Sequence, residues 1–219
     1  MNSNDQDGKN LADMKKIMFN DKYGLTQAVL EGRKTMTRRM VCTKDVRLPV
    51  HLSYDIKTRQ LLLYDACLSL VERSRYAFDE VVAIAQSYND VIEEWKKGYG
   101  QGFCFSPKDR AGMTNKMFVR SEDMPHHIKI TNIRVEHLRE ISDEDCMKEG
   151  IYKHDPVHIV GYNHNFIAYS YDATEDPHLK KWWFRTPREA FQKLIDKVSG
   201  KGTWDSNPFV WVYEFELVD

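Results

Sequence analysis

Apolar and polar positions change places in short runs along this chain, and each run predicts a short element. KKIMFN, from Lys15 to Asn20, reads as a strand. Leu25, Ala28 and Val29 then share one face of a helix that Gly32 ends, as a left-handed cap does. In VHLSYDIKTRQLLLYDA the alternation of Val50, Leu52, Tyr54 and Ile56 turns at Lys57-Thr58-Arg59 into a second apolar run, which predicts a hairpin. The continuous apolar run in Glu80 to Tyr88 fits a strand buried on both faces, and the helix after it stops at Gly98.

Further along, KMFVRS and HIKITNIRVEHL predict two strands. Ser142-Asp143-Glu144-Asp145 opens a short helix that Gly150 closes, and Thr186-Pro187-Arg188-Glu189 is a capping box for a helix running to about Gly200. PFVWVYEFELV begins as an apolar run and ends alternating, as a strand does that is central at its start and exposed on one face later. Gly98 to Gly112 holds four glycines and Pro107 and predicts a long loop, a candidate lid. Residues 1–13 read as a polar tail, and 14–219 as one domain with an insertion at about 152–186 that carries the strand-like NFIAYSY. Many short strands with a few short helices predict an α+β fold, a partly open β-barrel with helices on its rim. A doubly wound sheet is disfavoured, because the regular βαβ alternation and the phosphate-binding glycine fingerprint are both missing.

Composition narrows the partners. The chain has 219 residues, 42% of them hydrophobic, which is enough to build a core. Lys and Arg number 32 against 33 Asp and Glu, a balance that argues against coating long nucleic acid by counterion release and leaves room for a local basic patch. No stretch approaches the roughly 20 apolar residues of a membrane span, and the polar start lacks a signal peptide's apolar core, so a cytoplasmic protein is expected. Cys42, Cys67, Cys104 and Cys146 are scattered without a CxxC pair and read as free thiols. His154 and His158 flank Pro156, with His164 nearby, and read as loop histidines; neither a metal nor a cofactor is expected. His126 and His127 point to opposite faces of a strand and read as structural. Trp182-Trp183-Phe184 suits either a base-stacking platform or a cover over the barrel, whereas Trp204 and Trp211 read as core. Gly98-Tyr99-Gly100-Gln101-Gly102-Phe103 follows a helix pattern, not a strand, and predicts flexibility only.

The segment from Gly32 to Arg39 is the chemically dense one. It places Arg33, Lys34, Arg38 and Arg39 with Thr35 and Thr37 directly after a helix-ending glycine. Such a segment can present donors to an anion or a nucleobase edge, and it can equally be a solvated helix end whose cations complement the dipole. A threonine hydroxyl needs an adjacent base to become a nucleophile, and a lysine serves as that base only if burial or a cationic neighbour lowers its pKa.

Gly32, Lys34, Thr37 and Arg39 together form G-x-K-x-x-T-x-R, which resembles the signature of the ASCH family, a branch of the PUA-like barrels. Two further segments resemble that family in order. One is Lys129 to Ile151, a barrel strand leading into a short helix that ends in Glu-Gly. The other is the closing stretch from Trp204 to Val212. Before Val81 the family often has glycine and an acidic residue in a tight turn, where this chain has Asp79-Glu80. The resemblance implies a cleft that admits RNA or a modified nucleoside, with Gly32, Arg38 and Arg39 among the ligand-binding residues. At least one small member is an amidohydrolase that removes the acetyl group of 4-acetylcytidine, and its Lys, Thr and Glu match Lys34, Thr37 and Glu149. In those roles Thr37 is the nucleophile, Lys34 the activating base and Glu149 the acidic partner. Binding of RNA or a nucleoside is the first expectation, amidohydrolysis the second, and a non-catalytic protein-interaction module a third. The partner in that third case is not named by the residues.

Overall fold

Glycines and hydroxyl caps set the ends of most helices in the computed structural model, which describes residues 14–42, 51–99, 110–154, 167–171 and 183–218. In chain order the elements are β1 (Lys16–Ile17), α1 (Leu25–Leu30), β2 (Met36–Met40), β3 (His51–Asp55), β4 (Gln60–Tyr64), β5 (Leu70–Arg73), β6 (Val81–Ile84), α2 (Tyr88–Tyr99), β7 (His127–His137), α3 (Asp143–Lys148), β8 (Tyr152–Lys153), β9 (Tyr169–Ser170), α4 (Pro187–Ser199), α5 (Thr203–Ser206) and β10 (Phe209–Leu217). The fold is mixed α+β, with several sheets, and among the described residues no sheet closes into a barrel. Nor is any described helix long and apolar enough to cross a membrane. The N-terminal tail, the centre of the Gly98–Gly112 loop, Cys104, His158, His164 and Trp182 lie outside the described residues.

Contacts divide the chain into two compact units. The first comprises Met1–Phe19, Val81–Lys129 and Leu217–Asp219. In it β1 pairs parallel with β6, Ile17 opposite Ile84, and β6 pairs antiparallel with the start of β7, Val82 opposite Ile128. Its core gathers Ala83, Ala85, Tyr88, Val91, Val119 and Met124. The Tyr88 hydroxyl donates to Asp123 at 2.7 Å and accepts from the Arg120 amide at 3.1 Å, so the buried ring carries a satisfied polar end. The strand expected at KMFVRS is absent here. Asn115 turns the chain instead, its side-chain oxygen accepting from the Met117 amide at 3.0 Å and its carbonyl from the Phe118 amide at 3.1 Å. That turn leaves Met117 and Phe118 exposed and sends only Val119 inward.

The second unit comprises Asn20–Glu80 and Ile130–Glu216. Here the remainder of β7 neighbours β10, and β10 pairs antiparallel with β2. The expected hairpin is present as β3 and β4, and it gains a third strand, β5, that the alternation did not reveal. Asp79, standing where the resemblance expects glycine, has φ 58°, the left-handed region that aspartate tolerates better than most residues. Glu80 closes the same turn by accepting from the Ala77 amide at 2.7 Å. Ser142 caps α3 by accepting from the Asp145 amide at 3.1 Å, and Thr186 caps α4 from the Glu189 amide at 3.2 Å. Glu189 reaches back to the Arg185 amide at 3.0 Å, one residue earlier than a reciprocal box requires. Trp204 and Trp211 are core residues as expected, and Trp183 and Phe184 are half-buried.

Among the described glycines, the tightest belongs to the first unit. A Cβ on Gly112 would lie 2.4 Å from Tyr88 Cε2, and that ring is both buried and tethered through its hydroxyl. Gly112→Ala is therefore expected to cost about 1–3 kcal/mol by overpacking. Gly98→Ala, at a helical site with open space, should leave stability unchanged or raise it. Urea denaturation of the two variants beside wild type checks both signs.

Candidate functional site

All the residues of the site belong to the second unit. Gly32, at φ 72°, ends α1 and lets the chain fold back so that the Lys34 amide donates to the Ala28 carbonyl at 2.8 Å. The Thr35 amide then bonds the Lys148 carbonyl at 2.9 Å, which docks this turn onto the end of α3. Gly150, at φ 101°, follows that helix end; a Cβ there would already touch Leu25 and the Lys34 stem at 3.5 Å. The lysine stem thus packs where a side chain is missing, and its ammonium is delivered to the helix terminus.

Lys34 Nζ donates to Glu149 Oε2 at 2.6 Å and to the Glu149 carbonyl at 2.7 Å. The two side chains are 2% and 6% exposed, so this ion pair, spanning 115 positions of sequence, is buried. Burial pushes the Lys34 ammonium below the ordinary lysine value of 10.5; the Glu149 carboxylate opposes that shift, and the cations Arg39 and Arg38 add to it. Burial outweighs the carboxylate because the ammonium is fully enclosed.

Strand β2 places Arg38 beside the pair. Its Nη1 donates to Glu149 Oε1 at 3.1 Å, its Nη2 to Glu136 at 2.6 Å and Asp145 at 3.0 Å, and its Nε to Glu136 at 3.0 Å. Burial opposes the Arg38 charge, yet the carboxylates of Glu149, Glu136 and Asp145 together raise its pKa. Arg134 extends the network to Asp145 at 2.5 Å, to Glu136 at 3.0 Å and to Glu214. Both oxygens of Glu149 are therefore occupied, one by Lys34 and one by Arg38.

The pleat separates the other expected residues from this network. Met36 and Arg38 lie on one face of β2, opposite Glu214 and Val212 of β10. Thr37 and Arg39 lie on the other face, opposite Tyr213 and Trp211. Lys34 and Glu149 are brought together, whereas Thr37 sits in a strand instead of the helical or tight turn that would hold it over Lys34, and it takes no part in their hydrogen bonds. Thr37 is 5% exposed and Arg39 is exposed. Arg33 pairs with Glu31 at 2.8 Å near the surface. Glu136, Asp145, Arg134 and Glu214 were not singled out from sequence. The signal for two of them was present: Arg134 and Glu136 share a face of β7 while Ile133 and Val135 take the other.

Other candidates sort out quickly. His154 Nε2 lies 2.9 Å from the Ser170 hydroxyl, and His126 pairs with Glu94 at 2.6 Å in the first unit. Among the described residues, no three His, Cys, Asp or Glu side chains converge as metal ligands. Cys146, buried behind the network, has its thiol pushed up to about 12 by burial, so it is not a nucleophile at neutral pH.

Two outcomes follow from the buried pair. Glu149→Ala leaves Lys34 enclosed with a cation and no carboxylate, and should lose about 3–5 kcal/mol. The double variant Lys34→Met/Glu149→Leu should lose less than that single change, because Arg38 keeps Glu136 and Asp145. Urea denaturation of the single and double variants measures the difference. The depressed Lys34 pKa also sets a sign. Between its folded-state value and the ordinary 10.5 the unfolded chain binds the extra proton, so the Lys34 contribution to stability rises with pH through that window and is lost as pH falls through the folded value. Denaturation of wild type and Lys34→Met from neutral pH to pH 10.5 should show the wild type gaining on the variant as pH rises.

Comparison of the chain with protein-family models, with curated proteins and with solved structures finds no match.

Proposed function

We propose that this chain is a PUA-like domain of the ASCH type that binds a small nucleoside or nucleobase beside the Lys34–Glu149 pair. The observation that carries the reading is that pair: an ammonium and a carboxylate, fully enclosed, 2.6 Å apart and assembled from distant segments. A buried ion pair is by itself weak evidence of a stabilising role, which leaves room for a ligand-directed one. The left-handed turn at Asp79 supports the family reading, because it reproduces with aspartate the conformation that glycine would supply.

The same geometry favours a small ligand over an RNA chain. Of the four cations in the octapeptide, Lys34 and Arg38 are enclosed by carboxylates and Arg33 is paired with Glu31. Phosphate contacts need cations that can give up their counterions, and of the four only Arg39 is exposed.

A second reading is favoured by the lowered Lys34 pKa. A lysine closer to neutrality can accept the proton of the Thr37 hydroxyl as its oxygen adds to an amide carbonyl. The amine then leaves with a proton, and water hydrolyses the threonine ester. This requires Thr37 and Lys34 to meet around the ligand. Titration calorimetry with cytidine and 4-acetylcytidine tests binding, and chromatography of the same mixtures tests hydrolysis. The expected outcome is that wild type binds both nucleosides and that Glu149→Gln weakens binding at least about tenfold, the weight of one charge-assisted hydrogen bond. If hydrolysis occurs, Thr37→Ala should abolish it while leaving cytidine bound. No heat with either nucleoside, together with a salt-sensitive mobility shift of single-stranded RNA, would replace the small-ligand reading with the RNA one.

A further inference from the structure

In the three-stranded sheet of the second unit β4 is central, and among the described residues no strand pairs with the outer side of β3. Alternate residues of an antiparallel strand turn their amides and carbonyls away from the partner, so that outer edge offers backbone donors and acceptors. Its side chains are open to solvent as well. His51, Leu52, Ser53 and Tyr54 are exposed, Leu52 and Tyr54 each at 45%, and Ile56 beyond them at 82%. Leu52 and Tyr54 share a face, opposite Leu63 and Leu61 of β4, and Phe78 holds the Tyr54 ring edge-on at 5.4 Å. His51, Ser53 and Asp55 share the other face. The strand carries none of the devices that blunt an edge, neither lysine, proline nor bulge. The opposite edge, β5, is guarded: its register with β4 shifts between Leu63 and Tyr64, it ends in Glu72 and Arg73, and Glu72 accepts from the Cys42 amide at 2.7 Å.

The order of residues in β3 decides what fits that edge. Set against its own reverse about Ser53, His-Leu-Ser-Tyr-Asp places His51 opposite Asp55, Leu52 opposite Tyr54 and Ser53 opposite its counterpart. A second copy turned about a two-fold axis at Ser53 therefore meets two imidazole–carboxylate pairs on one face and two Leu–Tyr pairs on the other, each a favourable cross-strand pair. Other registers lose this match. A shift of one residue sets Leu52 against Asp55, and a shift of two toward the turn sets His51 against Lys57. Asp55 is already held in place, its carboxylate accepting from the Lys57 amide at 2.9 Å and facing Arg73 at 3.5 Å. We propose that β3 pairs with β3 of a second copy of this chain, antiparallel and centred on Ser53, and so joins the two three-stranded sheets into one. The guarded β5 edges then stop the pairing at two copies, as a closed isologous association requires. The association is independent of the nucleoside reading.

Analytical ultracentrifugation of the full chain, over a concentration series up to about 1 mM, measures the association directly. Wild type should pass from monomer to dimer and no further. His51→Asp sets carboxylate against carboxylate in both polar pairs, and Asp55→Lys sets ammonium against imidazole, so each should weaken the dimer about tenfold or more. Mixed together, the two variants should associate with each other at close to the wild-type affinity, because each offers the other an opposite charge in both pairs. A turn merely loosened by loss of the Asp55 carboxylate gives no such rescue. Leu52→Glu, at an exposed position, should weaken the dimer to a similar extent by replacing the apolar pairs on the other face. The proposal is overturned if wild type stays monomeric throughout, which leaves the edge to a strand of another polypeptide, or if it grows beyond a dimer. It is equally overturned if the dimer tolerates both His51→Asp and Leu52→Glu, or if the mixed variants associate no better than either alone. The wild-type series needs no variant to fold.

Discussion

Enclosing an ammonium group away from water costs several kcal/mol even after a protein relaxes around it, and the second unit is arranged around doing so at Lys34. The stem of that lysine lies against Gly150, where a side chain would crowd it, and its tip meets both the backbone and the carboxylate of Glu149. Placing a cation on the carbonyl of Glu149, which caps α3, also complements the helix end, where the Glu149 amide closes onto Asp145 at 2.9 Å. The turn at Gly32, the short length of α3 and the close return of the chain at Gly150 are each conditions for this contact.

The charge on Glu149 is then shared. Arg38 takes its second oxygen and passes the electrostatic load to Glu136 and Asp145, and Arg134 continues it to Glu214 near the surface. A guanidinium suits this position because its planar fork holds several carboxylates at once, which a lysine ammonium on a flexible stem would not. Met36 contributes a sulfur at 3.2 Å to the same guanidinium, and both arginines of the network, Arg38 and Arg134, are paired with carboxylates. The opposite face of β2 has the reverse character, with aromatic rings, a threonine and one exposed arginine. One five-residue strand thus carries two chemistries, divided by the period of the pleat.

That division explains how the octapeptide reads in one dimension and behaves in three. As a string it is a basic segment, and its cations suggest a surface for anions. In the fold, neighbours in sequence become opposites in space, and the cations are distributed among buried, paired and exposed environments. The spacing of Lys34 and Thr37 matched a helical turn, but the strand that contains Thr37 follows from pairing with β10, a segment more than 170 residues away.

Local chemistry was enough to determine α1 to α4 and most of their ends, though not the short α5. Ser142 and Thr186 cap because their hydroxyls reach amides three residues on, and Gly32, Gly150 and Gly200 stop the chain because left-handed or otherwise positive φ costs them little. The buried faces of α1 and the long strands β7 and β10 were legible for a similar reason, since their periodicity is a property of neighbouring residues. Lys34 could be singled out within its basic segment, and Glu149 only through the family resemblance. Tertiary structure alone decided that they touch, that Arg38 joins them while Thr37 does not, that KMFVRS turns at Asn115 instead of extending, and that the indole of Trp211 is enclosed without an acceptor. Those outcomes depend on strand register and on burial by remote segments, and neither quantity is carried by any local stretch of residues.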